Sequence, residues 1–225
     1  MKAAKLCLYL PALVLAGCVP LFSLHRLYTE KDIVFDEKLL GTWNKDTNDA
    51  NVIETWQFKS HPKEQNAYIL IINHRSKDKI LRGSFDAHLV KLDNHLFIDL
   101  YPNKPAWGSE KGDFNDLPWG YNAFFAVPTH TFLKLDAIEA NLGLCITDND
   151  SFKKLIARDP NAVEYDTIDD NPLLTAPTEQ LQNFVRKYAD DADLFPNCVT
   201  LERIGPPEPN TTDKNNPTKK SKGPQ

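Results

Sequence analysis

The 225 residues contain no Gly-x-Ser-x-Gly elbow, no phosphate-binding loop and no dinucleotide fingerprint. The commonest local signatures of acyl transfer, nucleotide hydrolysis and hydride transfer are therefore missing. None of the six histidines (His25, His61, His74, His88, His95, His130) stands in a His-x-x-x-His or short Cys/His spacing, so no metal or other cofactor is expected. Of the acidic clusters at Asp148-Asn149-Asp150, Asp169-Asp170 and Asp190-Asp191 with Asp193, the first lacks the glycine and distal glutamate of a calcium loop, and all read as helix caps and loop ends. No internal repeat occurs. Positive charge is short as well, with 26 Lys and Arg against 31 Asp and Glu. Lys2 and Lys5 lie in the first segment, and four lysines offset only Glu208 and Asp213 at the end, so the body between carries about −9. That excess argues against nucleic acid and anionic lipid surfaces as main partners.

The first 17 residues combine two lysines, an apolar run (LCLYLPALVLA) and small residues before Cys18. The run is too short to span a bilayer and reads as a secretory signal. Its ending, LAGC, resembles the lipobox of bacterial lipoproteins. The resemblance implies removal of residues 1–17 and lipidation of Cys18, whose two or three acyl chains would hold the protein to the cell envelope. Val19, where an aspartate would resemble an inner-membrane retention signal, favours the outer membrane. Residues 18–31 then form a lipidated N-terminus and tether, 32–204 a single β-rich domain, and 205–225 a disordered tail with five prolines and no aromatic or aliphatic residue. With Cys7 removed and Cys18 lipidated, Cys145 and Cys198 remain. In an oxidising envelope they form a candidate disulfide, the alternative being two buried thiols.

Period-two alternation dominates the body. The clearest case is Phe85 to Tyr101, where Asp93-Asn94 makes a two-residue turn that sets Leu92 opposite His95 and His88 opposite Asp99. One face then carries Phe85, Ala87, Leu89, Leu96, Ile98 and Leu100; the other is polar with a few apolar exceptions. Further strands are expected at 51–59, 67–73, 129–136, 142–147, 162–168 and 198–204. Helical spacing marks Phe152/Leu155/Ile156, ending before Pro160, and Leu181/Phe184/Val185/Tyr188, whose first turn contains Pro177. The expected class is mainly β: an antiparallel sheet with two packed amphipathic helices.

The segment LLGTW (39–43) resembles the Gly-x-Trp signature of lipocalins and related calycin barrels. That resemblance implies that Gly41 opens the first barrel strand, Trp43 plugs one end, and Arg203 lies across its ring. The second lipocalin signature is not matched, because Thr147-Asp148 is followed by Asn149, where a helix begins. A closed calycin-like barrel and a more open β-rich domain both remain. Four longer blocks, at 23–43, 88–102, 127–135 and 173–195, resemble a family of bacterial lipoproteins to which no activity is assigned, so no catalytic residue is carried over.

Between Pro102 and Gly120 the alternation stops. Trp107, Phe114, Trp119 and adjacent Tyr121 would lid a barrel mouth and contact a small apolar or sugar ligand; the alternative is that they pin the loop to the body. His88 opposite Asp99 reads as a solvated cross-strand pair in preference to a proton-transfer site, and Glu54 as a buried carboxylate or a rim residue. Together these point to a lipid-anchored envelope binding or interaction module, not an enzyme, with a small apolar ligand in its concave face. The competing reading is a protein-partner role in envelope assembly or inhibition, through the acidic body and an exposed sheet edge. A hydrolytic enzyme comes third, because nothing pairs a nucleophile with a base.

Overall fold

The alternating segments close into a barrel. The computed structural model describes residues 19–47, 51–76, 79–103 and 127–205. Two short strands, β1 (Phe22–Ser23) and β2 (Ile33–Val34), precede β3 (Gly41–Lys45), β4 (Val52–Ser60), β5 (Tyr68–Ser76), β6 (Lys79–Leu92) and β7 (His95–Pro102). After these come β8 (Thr131–Ile138), β9 (Asn141–Ile146), α1 (Asn149–Arg158), β10 (Tyr165–Ile168), β11 (Asn171–Leu174), α2 (Thr178–Tyr188) and β12 (Asn197–Ile204). Neighbours in the main sheet run β6-β5-β4-β3-β12-β9-β8-β7, and β7 pairs again with β6. The result is a closed, eight-stranded antiparallel barrel of calycin-like form with two helices.

Closure depends on the length of β6, which has 14 residues. Its first part pairs with β5 from Lys79 to Ala87, and its last part pairs with β7 from Phe85 to Leu92. Where β5 leaves off, β2 takes its place beside Leu89 and Val90. This stagger gives the tilt a closed barrel needs. The turn at Asp93-Asn94 sets the register as the alternation predicts, with Leu92 opposite His95 and His88 opposite Asp99. Asp93 takes the positive φ of 54° that such a turn requires.

Two cores flank the barrel wall. Inside, Leu39, Trp43, Trp56, Phe58, Tyr68, Leu70, Ile72, Leu89 and Ile98 belong to one buried cluster. Outside, Val90, Leu92 and Phe97 join Phe132, Leu27, Phe152, Leu155, Leu181, Phe184 and Val185 in a second. The apolar exceptions on the polar face of the β6–β7 hairpin are thus the barrel's contribution to this outer core. Each helix buries its apolar stripe there, which removes roughly 1.5–3 kcal/mol of exposure cost per large side chain.

The segment expected as a tether is folded from Val19 onward. Leu21, Leu27 and Tyr28 are buried, the Leu21 N–H donates to the Thr147 carbonyl, and Ser23 exchanges main-chain bonds with His130. Isolated apolar residues at positions 21, 27 and 28 carry no periodic signal, which is why the sequence reads as a linker there.

Asp148 caps α1 by accepting from the Ser151 N–H at 2.7 Å, which explains the departure from the lipocalin pattern at that point. Pro177 is the N-cap of α2 and not part of its first turn. The strand expected at 162–168 shortens to β10 and leaves the barrel altogether. With β11 and β1 it makes a separate three-stranded sheet, in which β1 runs parallel to β11. Asp169 and Asp170 both have positive φ, 48° and 65°, and form the tight turn between β10 and β11.

Candidate functional site

On the outer wall, the strand register gathers residues that alternation alone only half predicts. His88 faces Asp99, and Asp86 faces Tyr101. His130 immediately precedes β8. The two members of the His88–Asp99 pair are buried, at 4% and 1% exposure, which corrects the expectation of a solvated pair. The N-terminal segment covers them, and they bond to other groups than each other.

Asp99 Oδ2 accepts from the Leu27 N–H at 2.6 Å, and Oδ1 lies 2.7 Å from His130 Nδ1. A carboxylate only accepts, so Nδ1 of His130 carries the proton in this contact. The Tyr101 ring packs on the same imidazole at 4.6 Å. His88 Nε2 lies 2.9 Å from Glu64 Oε1, and the Tyr28 ring stacks on His88 at 4.3 Å. Burial first, then the negative charges of Asp99 and Glu64, push the Tyr28 phenol up to about 12, so it stays protonated.

A second histidine comes from the same β4–β5 loop as Glu64. His61 Nδ1 accepts from the N–H groups of Lys63 and Glu64 at 3.2 and 2.8 Å, which puts its proton on Nε2, 3.6 Å from Asp86. The Asn103 amide donates to Asp86 at 2.7 Å. This loop, with Phe35, lines a surface hollow of about 380 Å³ that His61 and Glu64 border. The cluster therefore reaches this hollow through His61 and Glu64, the latter joined to His88. No group of three His, Cys, Asp or Glu side chains among the described residues is arranged to hold a metal ion.

A different polar group sits inside the barrel near one end. Glu54 is buried and directly opposite both Lys45 and His74. It accepts from Trp56 Nε1 at 3.0 Å and lies 3.2 Å from His74 Nδ1 and 3.6 Å from Lys45 Nζ. The buried-carboxylate reading of Glu54 is the one observed, with each oxygen engaged.

At Gly41 the backbone turns into the first barrel strand with φ 121°, a conformation that only glycine adopts without strain. Trp43 is completely buried, its Nε1 donates to the Leu39 carbonyl, and the Arg203 guanidinium lies 3.9 Å over its ring. Arg203 also donates to the carbonyls of Leu40 and Lys38. Cys145 and Cys198 are directly paired on β9 and β12 and joined by a disulfide. Cys18 and the aromatic residues Trp107, Phe114, Trp119 and Tyr121 lie outside the described residues.

Asn103, the last described residue before the aromatic segment, is bonded to Asp86 of the cluster. Sequence reasoning singled out His88 and Asp99 but missed Glu64, His61 and the bond between Asp99 and His130. These contacts depend on loop placement and on a pairing between β7 and β8 across a long interval. Comparisons with family models, with curated proteins and with solved structures give no match for this chain. The fold and its side chains define the class: a calycin-like barrel with a filled interior and a polar cluster on its outer wall.

Proposed function

We propose that the protein is a lipid-anchored binding module of the bacterial cell envelope that recognises a protein partner through its outer surface. The observation that carries this reading is the filling of the barrel. Trp43, Trp56, Phe58, Tyr68, Leu70 and Ile72 are all at 0% exposure and occupy the space in which a carrier of this shape would hold its ligand. The barrel then acts as a rigid scaffold, and recognition belongs to the concave patch near His61 and Glu64 and to the aromatic segment attached beside it. Binding fits the cluster better than catalysis. The hydroxyl beside His88 is a phenol held protonated, and the Ser23 hydroxyl is engaged by the His25 carbonyl at 2.8 Å. Attachment at Cys18 to the outer membrane would set the body directly against the bilayer, because the Val19 carbonyl already accepts from the Asn149 N–H at 3.1 Å.

Native mass spectrometry of the mature protein in detergent tests the reading. The expected spectrum shows a lipidated chain beginning at Cys18 with no further small molecule, together with a stoichiometric complex with a second envelope protein. A bound small molecule that disappears when Trp107 and Trp119 are replaced by alanine would make the protein a carrier instead. An unlipidated N-terminus at any other residue would remove the anchor.

A further inference from the structure

Closing a barrel removes its edges, but the three-stranded sheet keeps two. One edge, β1, is bridged to the start of β8 through Ser23 and His130. The other is β10, and all four of its residues are exposed, Ile168 at 55% and Tyr165 at 39%. Beside it, a hollow of about 640 Å³ is lined by Val163, Tyr165, Gln180, Asn183 and Phe184. Glu164, Asp166, Asp169 and Asp170 surround this edge, and none has a cationic partner among the described residues. Lys187, which borders the hollow, is held by Asp159 at 2.7 Å.

We propose that this edge and hollow take up a basic, extended polypeptide segment, and that the occupant is the chain's own stretch 206–225. Lys219-Lys220-Ser221-Lys222 matches the four residues of β10 in length and opposes their charge. Pro217 and Pro224 flank it and disfavour helix. The stretch follows Gly205 at the end of β12, and the residues from there to Lys219 reach about 45 Å when extended. With no aromatic or aliphatic residue besides its prolines, it gains order only by adding to an existing edge. Tethering in the same chain supplies a millimolar effective concentration, so weak pairing suffices.

The hairpin geometry shows how the strand would add. Across a two-residue turn Ile168 and Asn171 exchange hydrogen bonds, so alternation directs the main-chain groups of Tyr165 and Thr167 outward. The Thr167 N–H is covered by the Asp166 carboxylate at 2.7 Å. An arriving ammonium group draws that carboxylate away and frees the N–H for a carbonyl of the added strand.

Amide hydrogen exchange of the full chain at low salt tests this against the Lys219→Gln/Lys220→Gln/Lys222→Gln variant. The expected result is at least tenfold faster exchange at Tyr165 and Thr167 in the variant, with the same acceleration in the parent protein at high salt. An Asp166→Asn/Asp170→Asn variant with the tail intact should reproduce it. Equal rates in parent and lysine variant would overturn the proposal. So would protection that grows with protein concentration, since the occupant would then be a neighbour's tail.

Discussion

The guanidinium of Arg203 lies 3.9 Å above the indole of Trp43, joining the last strand of the barrel to the first. Arg203 is also tied to the carbonyls of Leu40 and Lys38, so it combines ring stacking with two charge-assisted hydrogen bonds. Replacing it by alanine is expected to cost about 2–4 kcal/mol. Lysine should restore less than half of that, because a single ammonium cannot stack and bridge two carbonyls together. Urea unfolding midpoints of the three proteins check this.

Asp99 holds the N-terminal segment to the wall. Asp99→Asn removes the charge that both the Leu27 N–H and His130 address, and a loss of about 3 kcal/mol is expected from breaking a buried pair. Amide exchange at Leu27 should rise in the same variant. Asp190→Asn, which breaks the exposed contact with His95, should leave the unfolding midpoint nearly unchanged. Equal effects of the two substitutions would show that burial of Asp99 does not matter.

How far this site could be read from the sequence depends on distance along the chain. The β6–β7 hairpin was legible to the exact register, because a two-residue turn between alternating runs leaves one pairing. His130 lies 31 residues from Asp99, and no local pattern says that β8 returns beside β7. The same limit applies to the N-terminal segment, whose buried residues have no period. Val90, Leu92 and Phe97 were visible as violations of alternation; a second core outside the barrel is what gives them meaning.

The disulfide between Cys145 and Cys198 closes a loop of 53 residues. In the chain-entropy model this stabilises by about 4 kcal/mol. Reduction, or replacement of both cysteines by serine, should lower the unfolding midpoint accordingly, and the reduced form should gain two mass units. An unchanged midpoint would mean that the barrel is insensitive to this crosslink.

Asp32 gives the protein an acid limit. Burial pushes its carboxyl up, but hydrogen bonds from Thr29 and Gln182, with the charge of Lys31, outweigh this and hold it below its ordinary 3.8. A depressed carboxyl contributes stability that is present above its unfolded value and lost as pH falls through the folded one. Stability should therefore decline as pH drops below about 4, and Gln182→Ala should flatten that decline. Denaturant titrations between pH 3 and pH 6 check the slope.

The folding of the first segment onto the wall also has a mechanical side. A pull on the chain ahead of Val19 first loads the main-chain bonds of Val19, Leu21 and Ser23 to Asn149, Thr147 and His130, together with the two-residue pairing of β1 with β11. The strain would next reach the Leu27 N–H and, through Asp99, the imidazole of His130. Tension at the N-terminus is thus coupled to the outer polar cluster and, through Ser23 and His130, to the start of β8.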